Sequence, residues 1–248
     1  MDWFGSSYKE FDFQMYSTSH IIVLLCMLLL VGSIYKFRQQ LRAPRFRIME
    51  IALAVFLLVL EAVYQLWMIV SSSWDASHAL PLELCSIGLF LTAALLITRK
   101  KIIYEVSLFT GLLGASQALF TPFLNYDFPH FRFFHFFITH LLIFSVPFYF
   151  TWVKGFRPTI YSVVKTMAFL NILLPVIFIV NLLVDGNYLY IARKPENASL
   201  LDVLGPYPWY ILTLEFVALS LSLLIWLLFR QKETNIQSNR PFQRETYE

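Results

Sequence analysis

Residues 21–60 read "IIVLLCMLLLVGSIYKFRQQLRAPRFRIMEIALAVFLLVL", two long apolar runs joined by a short basic loop. Crossing a hydrocarbon core of about 30 Å takes about 20 helical residues, and each run approaches that length. The loop at 36–47 carries five Lys or Arg residues and no acid, which is typical of the cytoplasmic side of a membrane protein. The stretch predicts two membrane-spanning helices that meet at the inner side.

The rest of the chain repeats this pattern. Of its 248 residues, 58% are hydrophobic and 14% are charged, whereas about 25% charged is usual in soluble domains. The third apolar run is short, with 15 residues from Leu84 to Thr98, so it must recruit Pro81 and Leu82 to cross. We therefore predict an all-α polytopic membrane helix bundle with seven transmembrane helices, at residues 19–37, 48–71, 80–98, 102–121, 132–153, 160–184 and 207–229.

The distribution of basic residues predicts the orientation. Fourteen Lys or Arg residues fall in 36–47, 99–101, 154–159 and the tail. Only four fall in the alternate loops, namely Lys9, Arg132, Arg193 and Lys194. We expect the N-terminus outside and the C-terminus inside. Residues 1–230 are predicted to form one membrane domain and 231–248 a disordered cytoplasmic tail. The first 18 residues lack a basic start and a cleavage site, so the first span is expected to be permanent.

Several functional classes are disfavoured by composition. Two cysteines do not make a disulfide scaffold. A net charge of +3 without a basic stripe gives no reason to expect a nucleic-acid partner. Neither H-E-x-x-H nor paired C-x-x-C occurs, so we predict no metal and no cofactor.

Eight polar residues within the predicted spans are the candidates for a functional role. By the predicted orientation all but Asn171 lie in the outer half. Such residues usually face a bundle interior or a cavity, and interhelical hydrogen bonding explains them as well as a functional cavity does. For Glu61 and Glu215 both interpretations are equally open. The eight are Glu61, Gln65, Gln117, His135, His140, Asn171, Asn181 and Glu215.

Cys85 lies where the third run begins. With Pro81 in the first helical turn, the thiol falls in the second turn, where the helix dipole lowers its pKa and burial raises it. Gly88 and Thr92 share its face and leave room beside the sulfur. A reactive thiolate needs a nearby base, and His140 is the best candidate by depth. Packing roles for the cysteine and the histidine remain open from the residues alone.

Three further expectations concern the surroundings. His20 is expected at the membrane interface, and His78 and His130 in outside loops. The phenylalanine-rich stretch 128–150 is expected to expose most of its rings to lipid. Loop 185–206 is either a lid or a connector, held at the interface by Trp209 and Tyr210.

Six motifs together resemble the YwaF-like family of integral membrane proteins, which is related to the eukaryotic transmembrane protein 164 acyltransferases. They are "HALPLELCSIG" (78–88), "GLLGASQALFTP" (111–122), "FPHFRFFHFFITH" (128–140), "GFRPT" (155–159), "GNYLY" (186–190) and "LLDVLGPYPWY" (200–210). The resemblance implies a seven-span lipid acyltransferase with a cysteine centre, acting on phospholipid and lysophospholipid. It assigns the nucleophile to Cys85 and its partner to His140. The short chain and bare tail predict a bacterial cell-membrane protein.

The implied chemistry is transfer of a fatty acyl chain between phospholipids through a Cys85 thioester at an outward-facing site. Helix-end N–H groups or Gln117 would stabilise the oxyanion. The expected substrate-binding residues are His78, Glu61, Gln117, His135, Asn181, Asn187, Tyr188 and Glu215. The alternatives are a membrane lipid-ester hydrolase, a transporter with helices broken at Pro147 and Pro175, and a seven-span receptor. No internal repeat favours a transporter, and no loop motif favours a receptor. The oligomeric state is not predicted.

Overall fold

The computed structural model of the chain describes residues 3–5, 12–194 and 200–231. These residues form seven main helices and no strand, which confirms the all-α prediction. The helices are α1 Thr18–Lys36, α2 Phe46–Val70, α3 Leu84–Thr98, α4 Lys101–Phe120, α5 Phe131–Trp152, α6 Ile160–Val184 and α7 Trp209–Phe229. Helix α4 contains one π turn at Gly111–Ala115. Lys9 and the predicted tail after Gln231 lie outside the described residues.

Six of these helices are long and apolar enough to cross a membrane, and α3 is a shorter apolar helix of 15 residues. The count of seven spans and the orientation of the termini therefore stay predictions. The expectation that α3 starts at Pro81 was wrong, because the helix begins at Leu84. Leu80 and Leu82 instead pack against Tyr188 and Ile191, and this apolar contact holds the chain before α3 in a loop.

Helix α5 lies at the centre of the bundle and packs against α1, α2, α3 and α4. Phe133, Phe137 and Phe150 are buried. The expectation that most rings of 128–150 face lipid was therefore wrong. Neighbouring helices cover this face because the rings pack against their side chains, as Phe137 does on His20 of α1 with centroids 5.8 Å apart. Both α5 and α6 continue through their internal prolines, Pro147 and Pro175.

One carboxylate fixes the relative directions of three helices. Glu50, near the start of α2, is fully buried. Its oxygens lie 2.6 Å from Arg99 Nε, just after α3, and 2.8 Å from Lys154 Nζ, just after α5. Helices α3 and α5 are thus parallel, and both end beside the start of α2. We call this the Glu50 end of the bundle, and the opposite end the Glu61 end.

Buried acids at the Glu50 end overturn the expectation that polar groups gather in one half. Glu50 also accepts hydrogen bonds from Arg47 and from the Tyr149 hydroxyl, at 3.0 and 2.6 Å. The hydrogen bond to Glu50 raises the pKa of Arg99 above its ordinary value. Glu105 is likewise buried, with Lys165 Nζ at 2.6 Å. Both acids fall inside the predicted spans 48–71 and 102–121 but within four residues of a basic loop, so the sequence did not show that they would be buried.

Candidate active site at the start of helix α3

Cys85 is the second residue of α3 and is half-buried. Glu83 precedes the helix in an extended conformation and makes no side-chain cap. Its carboxylate instead accepts a hydrogen bond from the backbone N–H of Leu189, at 3.3 Å. Among the described residues, the N–H groups of the first turn, those of Leu84, Cys85 and Ser86, have no hydrogen-bond acceptor. Free N–H groups at a helix start are donors of the kind that can stabilise an oxyanion.

The π turn of α4 lies against the thiol. A Cβ added to Gly114 would be 3.8 Å from Cys85 Sγ, and one added to Gly111 would be 2.7 Å from the backbone oxygen of Ile143 in α5. These two glycines therefore bring α4 close to α3 and to α5 at once. π turns are often found at functional sites. Sequence reasoning passed over this feature, although "GLLGA" at 111–115 was among the family motifs.

His140 lies at the same level of the bundle as Cys85. A Cβ on Gly88 would be 3.4 Å from Ile143 Cγ2, so α3 and α5 touch there. Cys85 and His140 each precede this contact by three residues in parallel helices. Both therefore lie about 4.5 Å from it towards the Glu61 end. The depth comparison made from the sequence agrees with this arrangement, and direct contact between the two side chains stays a prediction.

The ring of His140 is held in one tautomer. It is buried, and its Nδ1 lies 2.6 Å from the backbone oxygen of Phe136. A carbonyl oxygen only accepts, so Nδ1 carries the proton of the neutral ring and Nε2 carries the lone pair. The Phe136 ring packs against the imidazole with centroids 4.3 Å apart. His140 thus has the form that a general base needs.

His135 has the opposite tautomer. Arg132 donates to its Nδ1 at 3.0 Å, so the proton is on Nε2, which donates to Glu61 at 3.3 Å. Gln65 donates to the other oxygen of Glu61, at 3.0 Å. The rings of His135 and Tyr64 stack at 4.3 Å. The structure thus unites Glu61, Gln65 and His135 in one buried network, which also gives Glu61 the partner that a carboxylate in a span needs.

Other predicted site residues lie apart from this network. Gln117 is exposed and donates to the hydroxyl of Thr121, one turn further, at 2.7 Å. His78 is exposed and bonds to the carbonyl of Ser73, at 3.0 Å. Glu215 is half-buried, and no partner for its carboxylate is found in the part of the chain that the structure describes. Asn171 is exposed and donates to Met167 O.

Three of the predicted residues hold a loop together. The side chain of Asn181 is buried and makes two hydrogen bonds to the backbone of Tyr188, at 3.0 and 2.8 Å. The hydroxyl of Tyr188 accepts from Leu80 N and donates to Ala76 O, both at 2.8 Å. Asn187 accepts from Arg193 N. Residues 186–193 are thus tied to the segment before α3, which favours the connector interpretation for this part of loop 185–206.

The structure also places the remaining histidines and two aromatic residues. The position of His20 at the membrane interface stays a prediction; its side chain is fully buried, and its Nε2 lies 2.9 Å from Leu119 O. His130 lies in the loop before α5 as predicted, and it is buried because it caps the start of that helix. Trp209 is exposed as expected, but Tyr210 is buried and donates to the backbone oxygen of Tyr190. The burial of His20 and Tyr210 goes with a bond to a backbone oxygen of another segment, which hydropathy does not predict.

The geometry and composition define a multi-pass helical membrane protein with a buried polar network at one end. In the described residues, no group of three or more His, Cys, Asp or Glu side chains is arranged to hold a metal ion. The model of the TMEM164 family matches residues 15–226. The chain therefore belongs to the TMEM164 family, which confirms the resemblance seen in its motifs. No curated protein and no solved structure matches the chain.

Proposed function

We propose that this protein is a membrane lipid acyltransferase that moves a fatty acyl chain between phospholipids through a thioester on Cys85. The observation that carries the proposal is the junction of α3, the π turn and α5. There a half-buried thiol borders a glycine and lies at the level of a histidine whose Nε2 lone pair is available. The multi-pass fold supplies access to lipid substrates.

The first half-reaction acylates the protein. His140 Nε2 takes the thiol proton, and the Cys85 sulfur attacks the ester carbonyl carbon of a phospholipid. The first-turn N–H groups of α3 donate to the oxyanion. The C–O bond then breaks, the leaving lysophospholipid oxygen takes the proton back from His140, and the acyl chain remains on sulfur.

The second half-reaction returns the thiol. The hydroxyl of another lysophospholipid gives its proton to His140 and attacks the thioester carbonyl. The C–S bond breaks, the sulfur is reprotonated and a new phospholipid leaves. Glu61, His135, Gln117, Glu215 and His78 are proposed to hold the head group at an outward-facing mouth. Asn181, Asn187 and Tyr188 are proposed to support substrate binding indirectly. Their hydrogen bonds hold loop residues 186–193, and the backbone N–H of Leu189 in this loop donates to Glu83.

The test compares the two native cysteines. Membranes containing the wild-type protein are incubated with a phospholipid whose acyl chain bears an alkyne, and hydroxylamine-sensitive labelling of the protein is measured. We expect labelling to disappear in Cys85→Ala. It should persist in Cys26→Ala, because Cys26 is an exposed residue of α1. Labelling that survives in Cys85→Ala would refute the thioester.

The role of His140 is tested against the other histidine of the same helix. His140→Ala is expected to slow acylation by about 10²-fold or more, as loss of a general base does. His135→Ala removes a buried partner of Glu61 and is expected to lower the stability of the protein more than its acylation rate.

Omitting lysophospholipid separates the two enzyme classes. A hydrolase then releases fatty acid at an unchanged rate, whereas a transferase accumulates the thioester.

A further inference from the structure

A cleft opens at the Glu50 end, away from Cys85. It has a volume of about 600 Å³ and lies between α1, α2 and α5. Leu30 and Ile34 of α1, Leu53 of α2, and Leu142 and Val146 of α5 form most of its apolar wall. Helix α1 packs on α5 but not closely on α2, so the cleft follows from the helix arrangement. Its volume is that of a small-ligand site.

One polar atom in this wall has no partner. Ser145 is 2% exposed, and its Oγ makes no hydrogen bond with any described residue. Thr139 and Thr151 of the same helix donate to a carbonyl one turn earlier, each at 2.7 Å. A buried hydroxyl without an acceptor costs free energy. Ser145 lines the cleft, so a turn of its side chain towards a ligand that offers an acceptor would satisfy the hydroxyl.

Two cations flank two residues at the mouth of the cleft. Phe37 and Phe46 line it. Lys36 Nζ lies 5.5 Å from the centroid of the Phe37 ring, and Arg45 Cζ lies 5.3 Å from that of Phe46. No carboxylate pairs with either cation among the described residues. Loop 36–47 contains no acid. Glu50 also lines the cleft, but its charge is paired with Arg99 and Lys154. An anionic group at this mouth would therefore meet two unpaired positive charges.

We propose that this cleft binds one anionic phospholipid from the leaflet at the Glu50 end. Lys36 and Arg45 hold the phosphate and head group, an ester carbonyl accepts the hydrogen of Ser145, and one acyl chain fills the apolar wall. Basic pockets between transmembrane helices are a known means of selecting anionic lipids. The charge of the mouth favours this occupant over a zwitterionic lipid.

The cleft is separate from the proposed acyl-transfer site. Its contact with α3 is Leu96, eleven residues after Cys85 and so about 16 Å further along the helix. The bound lipid is a ligand and reacts with nothing. Binding here therefore does not depend on the acyltransferase proposal, and a Cys85→Ala variant is expected to bind the lipid as the wild type does.

The experiment titrates the purified full chain in detergent with dimyristoyl phosphatidylglycerol or dimyristoyl phosphatidylcholine and counts bound lipid by native mass spectrometry. We expect phosphatidylglycerol to bind more tightly. The double variant Lys36→Gln, Arg45→Gln should weaken phosphatidylglycerol binding by roughly tenfold or more. The matched control, Lys100→Gln with Lys101→Gln, removes two cations from the start of α4 at the same end of the bundle and should leave binding unchanged.

A third variant tests the cleft itself. Ser145→Phe fills the wall and should remove binding of both lipids, and if it does not fold the two charge variants decide alone. Equal binding of the two lipids by the wild type would overturn the proposal. So would equal losses in the double variant and its control, since only general surface charge would then be acting.

Discussion

Two carboxylates of helix α2 show how surroundings decide the role of a residue. Glu50 is fully buried and meets Arg99, Lys154 and a tyrosine hydroxyl. Glu61, eleven residues further, is 6% exposed and meets one neutral histidine and one glutamine. Glu50 joins the ends of three helices, so we infer that its role is to stabilise the fold. Glu61 lies in the polar network of the opposite end, which is where a substrate head group is proposed.

Glu50→Gln is expected to destabilise the protein strongly. Removing one partner of a buried ion pair typically costs about 3–5 kcal/mol, because the remaining charges are left uncompensated. The thermal unfolding midpoint in detergent measures the loss. Glu215→Gln is the control, since it changes the same side chain at a half-buried site with no partner in the described residues, and its effect should be within about 0.5 kcal/mol. Equal effects of the two variants would contradict the role given to Glu50.

At the scale of an element, the π turn of α4 is the feature that shapes the candidate site. Gly114 approaches the sulfur of Cys85, and Gly111 approaches the backbone of α5. The thiol therefore lies next to a glycine, which has no side chain to fill the space beside the sulfur. The turn interrupts the α-helical repeat between Thr110 and Ser116, so the two glycines are brought to neighbouring helices by the same local change.

Gly111→Ala should disturb this junction. Its Cβ would lie 2.7 Å from a backbone oxygen that cannot move alone, so α4 and α5 must separate, and overpacking of this kind costs about 1–3 kcal/mol. We expect a lower unfolding midpoint and slower acylation. Gly32→Ala in α1 is the matched control, because its Cβ would have nothing within 4 Å. It should leave stability unchanged or raise it by up to about 1 kcal/mol. A Gly111→Ala protein as stable and active as the control would contradict the packing argument.

At the scale of the whole molecule, the open question is whether α3 crosses the membrane. Its 15 residues span about 22 Å as a helix, which is short of the hydrocarbon core. The loop before it and the basic loop after it nevertheless lie at opposite ends of the bundle, since Arg99 reaches Glu50 while Ala79 accepts from Gln65 near Glu61. This arrangement favours a short span supported by its neighbours.

Cysteine labelling tests the topology. In a background of Cys26→Ala and Cys85→Ala, one exposed position on each side of α3 is changed, as Asp75→Cys or Lys101→Cys. A membrane-impermeant maleimide applied to intact cells should label the first variant. It should label the second only after permeabilisation, because we predict that basic loops face the cytoplasm. Labelling of both from the same side would show that α3 does not cross.

The sequence alone predicted the six long helices to within two residues at each end, together with the family and with Cys85 and His140 as candidates of similar depth. The helices follow from local properties, because run length and hydropathy determine where a helix can lie in a membrane. The family and the two candidates follow from short motifs, which are local as well. The start of α3 was missed by three residues, since it was expected at Pro81 and lies at Leu84. It depends on apolar contacts of Leu80 and Leu82 with a loop about 100 residues away.

Only the tertiary structure decided which helices are neighbours. It placed the aromatic helix α5 at the centre, put Gly114 against the thiol, and paired Glu61 with His135, which is 74 positions away in the chain. It also showed that the buried acids occupy both ends of the bundle. The physical reason is that hydropathy fixes the depth of a residue along its own helix, whereas contacts between helices depend on how their surfaces fit.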